Sequence, residues 1–140
     1  MPKDCTLPAN YDQGSPGSYG IVPHISSSDY PKIGTNDFTI RGENTEAQIF
    51  GFLVCGFAKA HLKYNAATIL VDLVGHPYIA LPVITNGIKL PGQGWIELTF
   101  SIPTDLDNLQ FFSQFLFYDP GAQGGVSATE GLDATICCGC

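Results

Sequence analysis

The cysteines are the residues of this chain whose spacing most clearly suggests chemistry. Five occur in 140 residues: Cys5, Cys55, Cys137, Cys138 and Cys140. The last three contain the C-x-x-C spacing of redox enzymes, but no helix-forming segment follows it to lower a thiol pKa. Together with Cys5, they could also supply four thiolates for zinc. Disulfide cross-linking is the simpler interpretation, because this cysteine content is typical of an oxidising compartment. The odd count leaves at least one thiol unpaired within a monomer, and a bond between subunits would use it.

Histidines and serines show no catalytic spacing. The three histidines lie in separate segments without an H-E-x-x-H pattern, and no serine stands in a G-x-S-x-G turn. We therefore expect no enzyme and no cofactor.

One loop brings together three oxygen ligands, from Asp105, Asp107 and Asn108. These are weak calcium candidates, because the glycine and closing glutamate of an EF-hand are missing. Turn formation is the alternative role, and we predict no resident metal.

Composition excludes several classes of partner. Only 14% of residues are charged, the net charge is -7, and no basic cluster occurs, so nucleic-acid binding is not expected. The apolar stretches are too short for membrane insertion.

The start of the sequence lacks the apolar region of a secretory signal. Cysteine usage nevertheless favours an extracellular or cell-surface protein whose leader is absent from the given sequence.

Short runs rich in Val, Ile, Phe, Thr and Tyr alternate with Gly, Pro, Asn and Asp clusters, which predicts many short strands. Only residues 58–65 and 104–109 are candidates for a short helix. The predicted strands are residues 21–27, 37–42, 48–58, 68–73, 78–84, 95–102, 110–118 and 132–137.

These strands predict an all-β fold, a two-sheet antiparallel sandwich that is jelly-roll-like. Residues 1–20 are rich in Pro, Gly and Ser and form an extended N-terminal arm, residues 21–137 form the sandwich domain, and residues 138–140 form a cysteine-containing tail.

Pro23 and Pro82 mark edge strands, where a missing N–H is tolerated. Residues 110–118 are apolar on both faces, which predicts a central strand or one that covers an interface.

The order of segments resembles a small β-sandwich domain of secreted proteins in planctomycete-type bacteria. The resemblance covers residues 29–136 and is clearest in Ser101-Ile-Pro-Thr-Asp-Leu, in the strand from Gln110 to the Asp119-Pro-Gly-Ala turn, and in the following Gly125-Val-Ser-Ala-Thr. It implies an extracellular, non-catalytic domain attached to other surface modules. Family members often carry a second cysteine where this chain has Tyr78, paired with one near Cys55. Cys55 is therefore free and buried here, or paired with a C-terminal cysteine.

Two functions from different classes follow. The first is a structural surface or fibre subunit that assembles with copies of itself, through terminal disulfides and through an arm around Ile21, Val22 and Ile25 that adds a strand to its neighbour. The alternative is a carbohydrate-binding or adhesive module, which predicts exposed aromatic side chains on one sheet, including Trp95. A cytoplasmic or viral coat component is a third possibility, and free thiols throughout would favour it.

Overall fold

The structure is a computed structural model that describes residues 5–138. Within this range the chain forms strands joined by turns, with single 3₁₀ turns at Ser18–Gly20 and Gln123–Gly125. Among these residues there is no helix whose length and apolar character would let it span a membrane. The strands are β1 (Ala9–Tyr11), β2 (His24–Ser27), β3 (Phe38–Thr45), β4 (Phe50–Gly56), β5 (Lys59–Tyr64), β6 (Ala67–Val71), β7 (Tyr78–Ile84), β8 (Gly94–Phe100), β9 (Gln110–Tyr118), β10 (Val126–Ala128) and β11 (Gly131–Thr135).

The strands form two sheets and a separate hairpin, and all strand pairs are antiparallel. The larger sheet has the order β1-β11-β9-β4-β7, with β10 pairing beside the far end of β9. The smaller sheet has the order β2-β3-β8, and β5 pairs with β6. The predicted all-β antiparallel sandwich is therefore confirmed.

The core lies between the two sheets. Alternation along each strand directs one set of side chains inward. Ile25 of β2 and Ile40 of β3 pack against Leu53 of β4 and against Phe115 and Phe117 of β9. All five are almost completely buried, so they supply much of the apolar burial that stabilises the sandwich.

β9 is the central strand, as its apolar character on both faces predicted. It pairs with β4 on one side and with β11 and β10 on the other. The β5–β6 hairpin covers part of the second face of β9. The buried Gln114 side chain joins them: its Oε1 accepts a hydrogen bond from the Leu70 N–H, and its Nε2 donates to the carbonyl oxygens of Thr68 and Thr129, each at 2.9 Å.

The described part of the N-terminal arm, residues 5–20, is extended and lies along its own domain, while residues 1–4 lie outside the described range. β1 pairs with β11, and Ser15 pairs with Ala128. Further along, the buried carboxylate of Asp119 accepts hydrogen bonds from the backbone N–H of Ser18 at 2.7 Å and from that of Gly121 at 3.0 Å. This carboxylate thus fastens the arm to the turn that follows β9.

Both proline positions predicted as edges are confirmed: β7 ends the larger sheet, and β2, which follows Pro23, ends the smaller one. Thr85, just beyond β7, directs its N–H toward the carbonyl of Ile49, which precedes β4. Since backbone groups alternate in direction along a strand, the position of Pro82 faces away from β4. The missing N–H therefore costs the sheet no hydrogen bond.

The predicted helix over residues 58–65 is wrong. This segment forms β5, because the turn at Asn65 and Ala66 folds it back onto β6. Asn65 adopts a positive φ of 55°, which asparagine tolerates better than most residues. Residues 104–109 form turns instead of a helix. The strands β1 and β10 were not predicted, because their residues show no strong alternation of apolar and polar side chains.

Candidate functional site

A disulfide joins the two ends of the described chain. Cys5 and Cys137 are bonded, with their Cα atoms 5.4 Å apart and a sequence separation of 132. Cys138 is also disulfide-bonded. Cys55 is the free thiol among residues 5–138, while Cys140 lies outside the described residues. The prediction of terminal disulfides is thus confirmed for Cys5 and Cys137, which close a bond within one chain.

The segment predicted as an assembly arm is part of the fold of its own chain. β2 pairs with β3, and Ile25 is completely buried in the core. The N–H of Ile25 donates to the carboxylate of Glu130 at 2.8 Å. Ile21 is half-buried and Val22 is exposed. Exchange of this segment between copies stays a prediction.

The three residues predicted as weak calcium ligands lie on exposed turns. Asp105, Asp107 and Asn108 occupy the connection between β8 and β9. Throughout residues 5–138, no group of three or more His, Cys, Asp or Glu side chains is arranged to hold a metal ion.

Two histidines contact carboxylates at hydrogen-bond distance. His24 Nδ1 lies 2.9 Å from Glu130, and His76 Nδ1 lies 2.6 Å from Asp72. The hydrogen bond from His76, together with the backbone N–H groups of Val74 and Gly75, lowers the pKa of Asp72 to about 2. The His76 contact lies within the turn that follows β6, and the His24 contact joins β2 to the residue before β11.

The Cys55 thiol faces the interior between the sheets. Its Sγ lies 3.3 Å from the hydroxyl oxygen of Ser113 on the neighbouring strand β9. Burial raises the pKa of this thiol, and the hydrogen bond from Ser113 only partly opposes that effect. Cys55 is therefore a neutral thiol at physiological pH and a poor nucleophile.

An uncovered group of aromatic side chains lies on the outer face of the larger sheet, beside the β5–β6 hairpin. Phe50 and Tyr118 stack with ring centroids 5.7 Å apart, and Phe52 meets Phe50 edge-on at 5.0 Å. Ile84 is the cross-strand partner of Phe50. Tyr64 of the hairpin lines a groove of about 220 Å³ with Phe52 and Tyr118. We call Phe50, Phe52, Tyr64, Ile84 and Tyr118 the aromatic face.

The aromatic face is exposed, and most of it lies on strands that contain no charged side chain. Phe50 and Tyr118 are each 43% exposed and Ile84 is 65% exposed. The three adjacent strands β7, β4 and β9 contain no Asp, Glu, Lys, Arg or His. Contiguous apolar surface of this kind marks interaction sites in soluble proteins. Sequence reasoning missed this face, although the absence of charge from three strands was visible.

Trp95 lies elsewhere, on β8 of the smaller sheet. It is partly exposed, and the Arg41 guanidinium lies 5.2 Å from the centroid of its ring. Its neighbours across β3 are polar, since Glu43 is its register partner and Arg41 pairs with Glu97. The predicted aromatic row therefore does not form around Trp95.

Comparison of the chain with protein-family models, with curated proteins and with solved structures found no match. The function is therefore argued from the geometry of the chain itself.

Proposed function

We propose that this chain is a non-enzymatic extracellular structural module whose copies associate through the aromatic face. The observation that carries the proposal is an exposed, uncharged group of aromatic and aliphatic side chains on one face of the larger sheet. The terminal disulfide supports an extracellular location, because such bonds persist in oxidising compartments.

Burial of the aromatic face would be favourable because little polar surface must be desolvated. Aromatic side chains contribute large contact areas and lose little conformational entropy on binding. The adjacent edge strand β7 lacks the charged side chains that commonly protect sheet edges. Its one protective feature is Pro82, which removes a single outward donor.

A second copy of this chain is the partner that the charges favour. The Tyr64 end of β5 lies beside the aromatic face and contributes Lys63 without any carboxylate, whereas the whole chain has a net charge of -7. The acidic surface of a neighbouring copy therefore attracts this edge. Two aromatic faces placed against each other would bring like charges together. A head-to-tail contact, which can propagate into a filament, avoids that repulsion.

Association is tested by sedimentation velocity over a concentration series of the full, oxidised chain. We expect the average mass to rise with concentration, and Phe50→Asp to weaken association by about tenfold or more, because a carboxylate would be buried against the acidic surface of the neighbouring copy. The matched control is Val74→Asp, since Val74 is an apolar loop residue that is 84% exposed and outside the aromatic face. Wild-type protein that remains at 15.0 kDa throughout, or equal effects of both substitutions, would overturn the proposal.

The tyrosines of the same face favour carbohydrate binding as a second candidate. Tyr64 and Tyr118 are partly exposed beside the groove, and amphipathic rings stack well on sugars while their hydroxyls donate hydrogen bonds. Calorimetric titration with an oligosaccharide panel tests this function. Binding that Tyr118→Ala abolishes and Tyr19→Ala preserves would support it. Absence of heat with the whole panel would exclude those sugars as ligands.

A further inference from the structure

A cleft of about 300 Å³ opens between the two sheets at one end of the sandwich. Its walls come from both sheets and from the turns between β8 and β9. They include Ile40 of β3, Cys55 of β4, Ile79 of β7, Phe111 of β9, and Leu106 of the connecting turns. We propose that this cleft binds the hydrocarbon part of a small molecule, a chain or fused ring system of about ten carbon atoms, with any polar head group at the mouth.

The lining of the cleft selects an apolar guest. The lining is predominantly apolar; its polar side chains are the neutral thiol of Cys55 and the hydroxyls of Tyr78 and Ser101, two exposed residues. The backbone around Cys55 pairs with β7 on one side and with β9 on the other. A polar group inserted this deeply would lose its hydrogen bonds to water and find few partners, which disfavours peptide or sugar. Hydrocarbon carries no such cost.

The volume of the cleft sets the size of the guest. An apolar cavity of about 150 Å³ is large enough to hold benzene. A cleft of about 300 Å³ therefore fits two fused rings, or an alkyl chain with a similar number of carbon atoms. Ile79 at the mouth is 56% exposed, and Phe57 beside it is also exposed. A bound guest would cover part of both side chains and so gain further apolar contact.

The mouth disfavours an anionic head group. Asp105 and Asp107 flank Leu106 in the turns that line the cleft, and both are exposed. A carboxylate held beside them would experience like-charge repulsion, whereas a hydroxyl would not. We therefore expect decan-1-ol to bind more tightly than decanoate, most clearly at low salt.

Binding is measured by titrating the full chain with the uncharged fluorescent probe N-phenyl-1-naphthylamine and displacing it with decan-1-ol. Ile79→Trp should fill the mouth and weaken probe binding by about tenfold or more, which corresponds to the loss of most apolar contacts. The matched control is Ile88→Trp, because Ile88 is similarly exposed, at 61%, and lies outside the cleft. Phe50→Asp should leave probe binding unchanged, which separates the cleft from the aromatic face.

The thiol of Cys55 gives an independent readout, since it is the free cysteine of the described chain and lines the cleft. Saturating decan-1-ol should slow its reaction with a thiol reagent in the wild-type protein. Equal probe binding by wild type and Ile79→Trp, or no protection of Cys55, would overturn the proposal. Probe binding that falls as protein concentration rises would identify a second copy as the occupant and would overturn it as well.

Discussion

Gln114 is the residue whose replacement should most sharply test the packing of the β5–β6 hairpin against β9. Its side chain is completely buried and makes hydrogen bonds to Leu70, Thr68 and Thr129. Gln114→Met keeps the length and approximate volume of the side chain but removes the amide. One N–H and two carbonyl groups then lose a partner in a site that is closed to water.

The expected cost follows from those three groups. A buried donor or acceptor left without a partner costs about 1 to 3 kcal/mol, and relief from burying the amide itself offsets part of the sum. We therefore expect Gln114→Met to lower the free energy of unfolding by about 3 to 5 kcal/mol, a large part of the total for a domain of this size.

Urea unfolding at equilibrium measures this change, with Gln110→Met as the control. Gln110 lies on the same strand but is exposed, and its Nε2 donates to Asp133 at 2.9 Å. Its replacement should cost no more than about 1 kcal/mol. Amide hydrogen exchange should also accelerate at Leu70 in the Gln114→Met variant. A cost below about 1 kcal/mol, or equal costs for both variants, would refute the reasoning.

Two further predictions concern the terminal disulfide and the hydrogen bond between His76 and Asp72. Cys5→Ser should lower the free energy of unfolding by up to about 5 kcal/mol in the chain-entropy model, because the bond to Cys137 spans 132 residues. Non-reducing urea unfolding checks this, and a similar loss in Cys55→Ser would contradict it. Asp72 has a pKa lowered to about 2 by His76 and two backbone N–H groups. Since the folded-state pKa is depressed, its contribution to stability is present above about pH 4 and is lost as pH falls through 2. NMR titration of the Asp72 carboxyl measures that midpoint, which His76→Ala should raise; an unchanged midpoint would argue against the pairing.

Much of the strand layout is a local property and could be predicted from the sequence. Runs of β-branched and aromatic residues bounded by turn-forming residues predicted β7 and β9 with the bounds that the structure has. The apolar character of β9 on both faces predicted its central position, and Pro82 predicted an edge. These features reflect side-chain period and backbone geometry, which depend on a few neighbouring residues.

The sequence did not determine how distant segments meet. β5 has exposed side chains at nearly every position and becomes a strand because it pairs with β6. The pairing of Cys5 with Cys137 could not be chosen from spacing alone. Likewise, the aromatic face forms only when β4, β7 and β9 lie side by side, and the cleft needs both sheets together with the turns near Leu106. Tertiary structure decided these features because sheet partners and cavities arise from contacts between residues that are far apart in the chain.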